Sequence, residues 1–196
     1  MKKYHLLIGP VLFLLAEIIL PGGSSDPKTR ITIIQNNGSV WEIGHQIIAI
    51  AMIFLLIWLF EIYTAIGSQN QAVAYLGVWL SAFAMVADYS VGILQLLTLD
   101  LVKANPSDLA NPVLALMAQS QNLLGFAFLP TLGFIFGFGL LAFGLYRSTR
   151  QSLISALLGL SGLLIAIAGV MQLKIVFILG AIVLTVFTVL FIRIKK

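Results

Sequence analysis

The sequence contains no cysteine in its 196 residues, which excludes disulfides, thiolate metal sites and cysteine nucleophiles. Charge is scarce too. Only 9% of the residues are Asp, Glu, Lys or Arg, against about 25% in a soluble domain whose surface must stay hydrated. There are two histidines, His5 and His45, too few ligands for a zinc site and too far apart along the chain's apolar runs to hold a haem between them. No lysine sits mid-span for a retinal Schiff base; Lys174 falls at a turn. HExxH, G-x-S-x-G and a glycine-rich phosphate loop are all missing, so no cofactor and no metal are expected. An internal repeat, the usual mark of a secondary transporter, is also lacking.

What is present is apolar. Hydrophobic residues make up 60% of the chain and the mean hydropathy is +1.07, so its solvent is mostly lipid. The formal charge of +4 does not point to nucleic acid, because the basic residues form short clusters rather than a stripe interleaved with aromatics. The expected fold is an all-α integral membrane protein, a single bundle of about six transmembrane helices. A crossing needs about 20 apolar residues. Suitable spans are residues 4–20, 41–63, 72–98, 122–146, 151–168 and 172–192. The first resembles a signal peptide, but Glu17 interrupts it and no cleavage motif follows, so a retained helix is expected. A short interfacial piece is expected over 112–120, a bend at Pro130, and a tight turn around Gly169.

Ser39-x-x-Glu42 and Ser148-x-x-Gln151 fit capping boxes, and Asn105-Pro106 and Asn111-Pro112 fit helix starts. The loop 21–40 contains β-branched Arg30-Ile31-Thr32-Ile33-Ile34 and the turn signal Asn37-Gly38, which suggest an extended segment or small hairpin. With the N-terminus inside, Lys2, Lys3, Arg147, Arg150, Arg193, Lys195 and Lys196 face the cytoplasm, and Lys28, Arg30, Lys103 and Lys174 face out. Seven against four places both termini in the cytoplasm. Gly133-x3-Gly137, Ser155-x3-Gly159 and Gly162-x3-Ala166 mark close helix contacts, foremost within the chain and otherwise toward a homo-oligomer or a membrane-complex partner.

Ionisable groups in hydrocarbon are costly and point to function. Asp88 lies deep in the third span, too short to reach the surface. Glu17 is about one turn from the outer end of the first, and His45 one turn deeper than Trp41. Asp88, with Glu17 or His45 as its base or orienting partner, forms the expected catalytic set. Tyr89, Gln95, Asn122, Gln119, Glu42 and Trp41 are the expected ligand-binding residues around them. All lie in the outer half of the membrane, where depth can be inferred from sequence but facing cannot.

Phe138-Gly139-Leu140-Leu141-Ala142-Phe143-Gly144-Leu145-Tyr146-Arg147-Ser148, followed by the glycine-rich stretch 159–169, resembles a family of small bacterial polytopic membrane proteins grouped as a domain of unknown function. The resemblance implies about six helices in a bacterial or archaeal cytoplasmic membrane and no assigned activity. The residues themselves lead to an intramembrane polar cavity that binds a lipophilic molecule, or converts it by acid–base isomerisation or cyclisation. An accessory subunit of a membrane complex and a small proton-coupled transporter are the alternatives.

Overall fold

The structure, a computed structural model, describes residues 3–22, 26–104 and 121–194. Among these residues it is all helical. A 3-10 turn, Tyr4–Leu7, leads into α1 (Ile8–Ile19). Then follow α2 (Pro27–Ala65), α3 (Gln71–Ala104), α4 (Gln121–Thr149), α5 (Ser152–Met171) and α6 (Lys174–Ile194). Each helix packs on the next and α6 returns to pack on α1, so the six form a closed ring in chain order.

Five helices are long and apolar enough to cross a membrane, and residues 4–19 form a shorter apolar segment beside them. The surface is as apolar as the core. Ile53, Phe60, Trp79, Phe83, Phe136 and Leu153 are exposed, while a few polar groups, Glu17, Ser81, Ser155, Ser161 and Thr188, are buried among apolar ones. A surface of many large apolar side chains suits a lipid solvent. The chain is an integral membrane protein.

The core is an aromatic plug at one level of the ring. Trp58 of α2 is fully buried, with its ring centroid 5.8 Å from Phe138 of α4 and 5.7 Å from Phe187 of α6. Its Nε1 donates to the Thr188 hydroxyl at 2.9 Å, and that hydroxyl donates to Leu184 O at 2.9 Å. One end of the ring is basic. Lys3 pairs there with Glu61, and the Ser148 hydroxyl accepts from Gly67 N at 2.9 Å and Asn70 Nδ2 at 3.2 Å, which ties the α2–α3 turn to α4.

Several sequence expectations change here. The segment over 27–40 is neither a loop nor extended: it is the first part of α2. Asp26 caps it, accepting from Thr29 N at 2.8 Å and from the Thr29 hydroxyl at 2.6 Å, with Pro27 in the first turn. The turn signal becomes a kink. Asn37 leaves helical geometry (φ −131°, ψ 27°) because its side-chain amide donates to Ile33 O at 2.9 Å, competing with the backbone ladder. Neither expected capping box forms. Ser39 lies inside α2 and Ser148 inside α4, and Gln151 precedes α5 with no side-chain cap. The α5–α6 turn falls at Gln172, in the left-handed region (φ 52°), three residues beyond Gly169. The expected segment over 112–120 and the starts at Asn105-Pro106 and Asn111-Pro112 lie outside the described residues.

The cap is pH-dependent. The Thr29 hydrogen bonds hold the Asp26 carboxyl below its ordinary 3.8. A lowered folded value means the contribution is complete above the unfolded value and is lost as pH falls through the folded one. Amide exchange at Thr29, corrected for intrinsic rate, should therefore be flat above about pH 4 and quicken below it. Asp26→Asn should remove that acid dependence; a profile shared by both proteins would show that the carboxylate is not the cap.

Candidate functional site

At the end of the ring opposite Lys3 and Arg193, the helices part around a cavity of about 200 Å³. Glu17 and the chain after it (Leu20, Pro21, Gly22) contribute from α1; Arg30, Trp41, His45 and Ile48 come from α2. Asp88, Val91, Gly92 and Gln95 come from α3, and Gln172, Lys174 and Phe177 from the α5–α6 turn and α6. Its depth follows from helix rise. Asp88 stands roughly 25 Å along α3 from Gln71, and His45 roughly 30 Å along α2 from Ala65. Both distances are close to one hydrocarbon thickness, ~30 Å, and α2 and α3, at 39 and 34 residues, run on beyond the cavity as a pair. Ile31, Ile34 and Trp41 pack there on Leu99 and Val102.

The three expected catalytic residues all line this cavity, as do Trp41 and Gln95. Glu17 is buried at 8% exposure; Asp88 and His45 are partly accessible. Trp41 is a structural post. Its Nε1 donates to Gln95 O at 3.2 Å, joining α2 to α3, and its ring lies 4.8 Å from that of His45. His45 Nδ1 is 2.8 Å from Trp41 O. A carbonyl can only accept, so Nδ1 carries a proton, and in the neutral ring Nε2 is the nitrogen left free to act as a base.

Two of the other expected ligand-binding residues, Tyr89 and Glu42, lie elsewhere. Tyr89 does not line the cavity and is 38% exposed, since a neighbour of Asp88 on a helix points about 100° away from it. Glu42 pairs with Lys103 at 3.1 Å on the outer stretch of α2 and α3. Asn122 sits at the start of α4, and Gln119 lies outside the described residues.

Sequence reasoning missed two cations. Arg30 reaches the cavity because the segment bearing it is helical and kinked, not a loop. Lys174 opens α6 and donates to Ile18 O at 3.1 Å. The signal for the first was Asp26-Pro27, an N-cap residue followed by proline at the first helical position. Among the described residues, nothing hydrogen-bonds the buried Arg30 Nε and Gln95 Oε1. Two carboxylates and an imidazole could in principle hold a metal, but among the described residues no three such groups converge to do so.

No protein family, curated protein or solved structure matches the chain.

Proposed function

We propose that the chain crosses a bacterial or archaeal cytoplasmic membrane six times, with both termini in the cytoplasm, and that its outward-facing cavity binds the polar end of a lipophilic molecule. The observation that carries this reading is that Glu17, His45 and Asp88 line one cavity with Arg30 and Lys174. Ionisable groups drawn from α1, α2, α3 and α6 are costly to gather there without a ligand to meet them. The size supports this reading. Drug-sized ligands fill about 300–1,000 Å³, whereas 200 Å³ admits a head whose tail stays in lipid. The basic cluster at the other end of the ring supports the orientation, and residues 4–19 serve as the sixth crossing through their packing on α2 and α6.

The Trp58 plug beneath the cavity argues against a continuous path and so against the transporter alternative. The small-residue faces are spent inside the chain. A Cβ on Gly133 would meet Ala84 Cβ at 2.6 Å, and one on Gly162 would meet Phe138 Cβ at 2.6 Å, so these faces are not free to dock a complex.

Acid–base conversion of the bound molecule is a second reading, favoured by the fixed His45 tautomer. Nε2 would take a proton while Asp88 or Glu17 gives one, as isomerisation or cyclisation requires.

Native mass spectrometry of the gently extracted protein tests the binding reading. A defined mass retained by the wild type should be lost from Asp88→Asn, with at least about a tenfold fall in occupancy for one charged contact. Equal retention by both proteins would refute it.

A further inference from the structure

The charges in the cavity specify the kind of head it takes. Resting on the binding reading above, we propose that the ligand's polar end is zwitterionic, carrying an ammonium and a phosphate or carboxylate group close together. Arg30 and Lys174 bring two cationic side chains to the cavity, and Glu17 and Asp88 bring two carboxyl groups. Yet among the described residues none of the four is ion-paired with another; the ion pairs there are Lys3–Glu61 and Lys103–Glu42. Opposite charges that share a cavity and stay apart are arranged around something between them.

A purely anionic head would satisfy Arg30 and Lys174 and bring no donor to Glu17, Asp88 and Gln95 Oε1. A purely cationic one would meet those acceptors and leave Arg30 and Lys174 without an anion. Each would leave one set of buried polar groups unmet, which is expensive. A head with both signs meets all four.

The unpartnered buried atoms carry the same division. Arg30 Nε belongs to the fork that grips phosphate and carboxylate oxygens, and no acceptor among the described residues fills it. Gln95 Oε1 is an unused acceptor, seven residues along α3 from Asp88 and on the same face, as a bound ammonium requires. Lys174 gives one N–H to Ile18 O and keeps two for an anion. The anion subsite is thus Arg30 with Lys174, and the cation subsite is Asp88, Glu17 and Gln95 Oε1.

The test uses the full chain in detergent, with three lipids of identical acyl chains: phosphatidylethanolamine, phosphatidylglycerol and a trimethylammonium lipid. Native mass spectra should show the ethanolamine lipid retained at least about tenfold over the other two. Arg30→Gln and Glu17→Gln should each abolish that preference. Arg30→Lys should keep part of it, which separates loss of charge from loss of fold, and Lys103→Gln should leave it intact. Equal retention of the glycerol and ethanolamine lipids, or a preference that survives Arg30→Gln, would overturn the proposal. Retention of one charged lipid that Asp88→Asn abolishes would overturn the zwitterion and leave the binding cavity standing. Retention indifferent to Asp88 would remove both. Free phosphoethanolamine identifies the source: displacement of the lipid supports a soluble zwitterion, and lack of displacement a lipid-borne head.

Discussion

Trp58→Ala is expected to destabilise the protein by about 3–5 kcal/mol, the range for emptying a large aromatic site in a packed core. Trp58 is fully buried and contacts helices on two other sides of the ring, through Phe138 and Phe187. None of these neighbours can close the space without breaking contacts of its own. In a membrane the loss falls on packing rather than on water exclusion, because lipid is as apolar as the core. Trp58→Phe separates the two contributions. It keeps a ring and removes the N–H donated to Thr188, so about 1 kcal/mol should go. Trp79 is the control. It is 59% exposed and leaves no internal cavity, so Trp79→Ala should stay within about 0.5 kcal/mol. Denaturant titration in mixed micelles measures all three; a Trp58→Ala cost no greater than that of Trp79→Ala would remove the plug from the account.

Gly137→Leu should be worse still, while Gly139→Leu, two residues along the same helix, should be tolerated. A Cβ on Gly137 would stand 2.6 Å from Ser81 N and 3.0 Å from Gly77 O and also collide with the Ser81 hydroxyl. The first two are backbone atoms of α3, so the helix itself must move away. Overpacking costs about 1–3 kcal/mol when side chains can give, and a backbone clash exceeds the top of that range. On Gly139 a Cβ meets nothing within 4 Å, and removing a helical glycine there gains up to about 1 kcal/mol in propensity. The pair should therefore differ in sign. Two variants with equal folded yield and melting temperature would mean that α3 and α4 do not approach as closely as described.

The contrast between Gly137 and Gly139 also shows what a sequence can carry. Hydropathy reveals helices in lipid because a crossing segment has to be apolar along its whole length, and the small-residue spacing Gly133-x3-Gly137 marked a true contact face. Position along the helix was legible for Glu17, His45 and Asp88, and the three line one cavity. Facing was not, and Tyr89 was misplaced for that reason. Residues 27–40 were misread because β-branched side chains and Asn-Gly favour extended chain locally. Tertiary packing prevailed: Ile31 and Ile34, one helical turn apart, bury themselves against Leu99 and Val102. Losing that helix from the reading also lost Arg30, a cation with no assigned direction until its backbone is regular. The capping boxes at Ser39 and Ser148 failed from the opposite cause, matching a four-residue pattern inside helices that simply continue.

The ring's chain order has a consequence for how the protein is made. Neighbours in the ring are neighbours in sequence, so contacts accumulate as each helix leaves the ribosome, with little loop entropy to overcome. One seam is different. The joint between α1 and α6 unites groups such as Ile18 and Lys174, 156 residues apart. α1 must wait beside α2 through nearly the whole of synthesis before its second partner arrives. Lys174 is the first residue of that partner and the last charged group to join the cavity. The cavity is thus completed last, and a ribosome stalled before α6 would hold Glu17, Arg30, His45 and Asp88 without Lys174 and Phe177 to close over them.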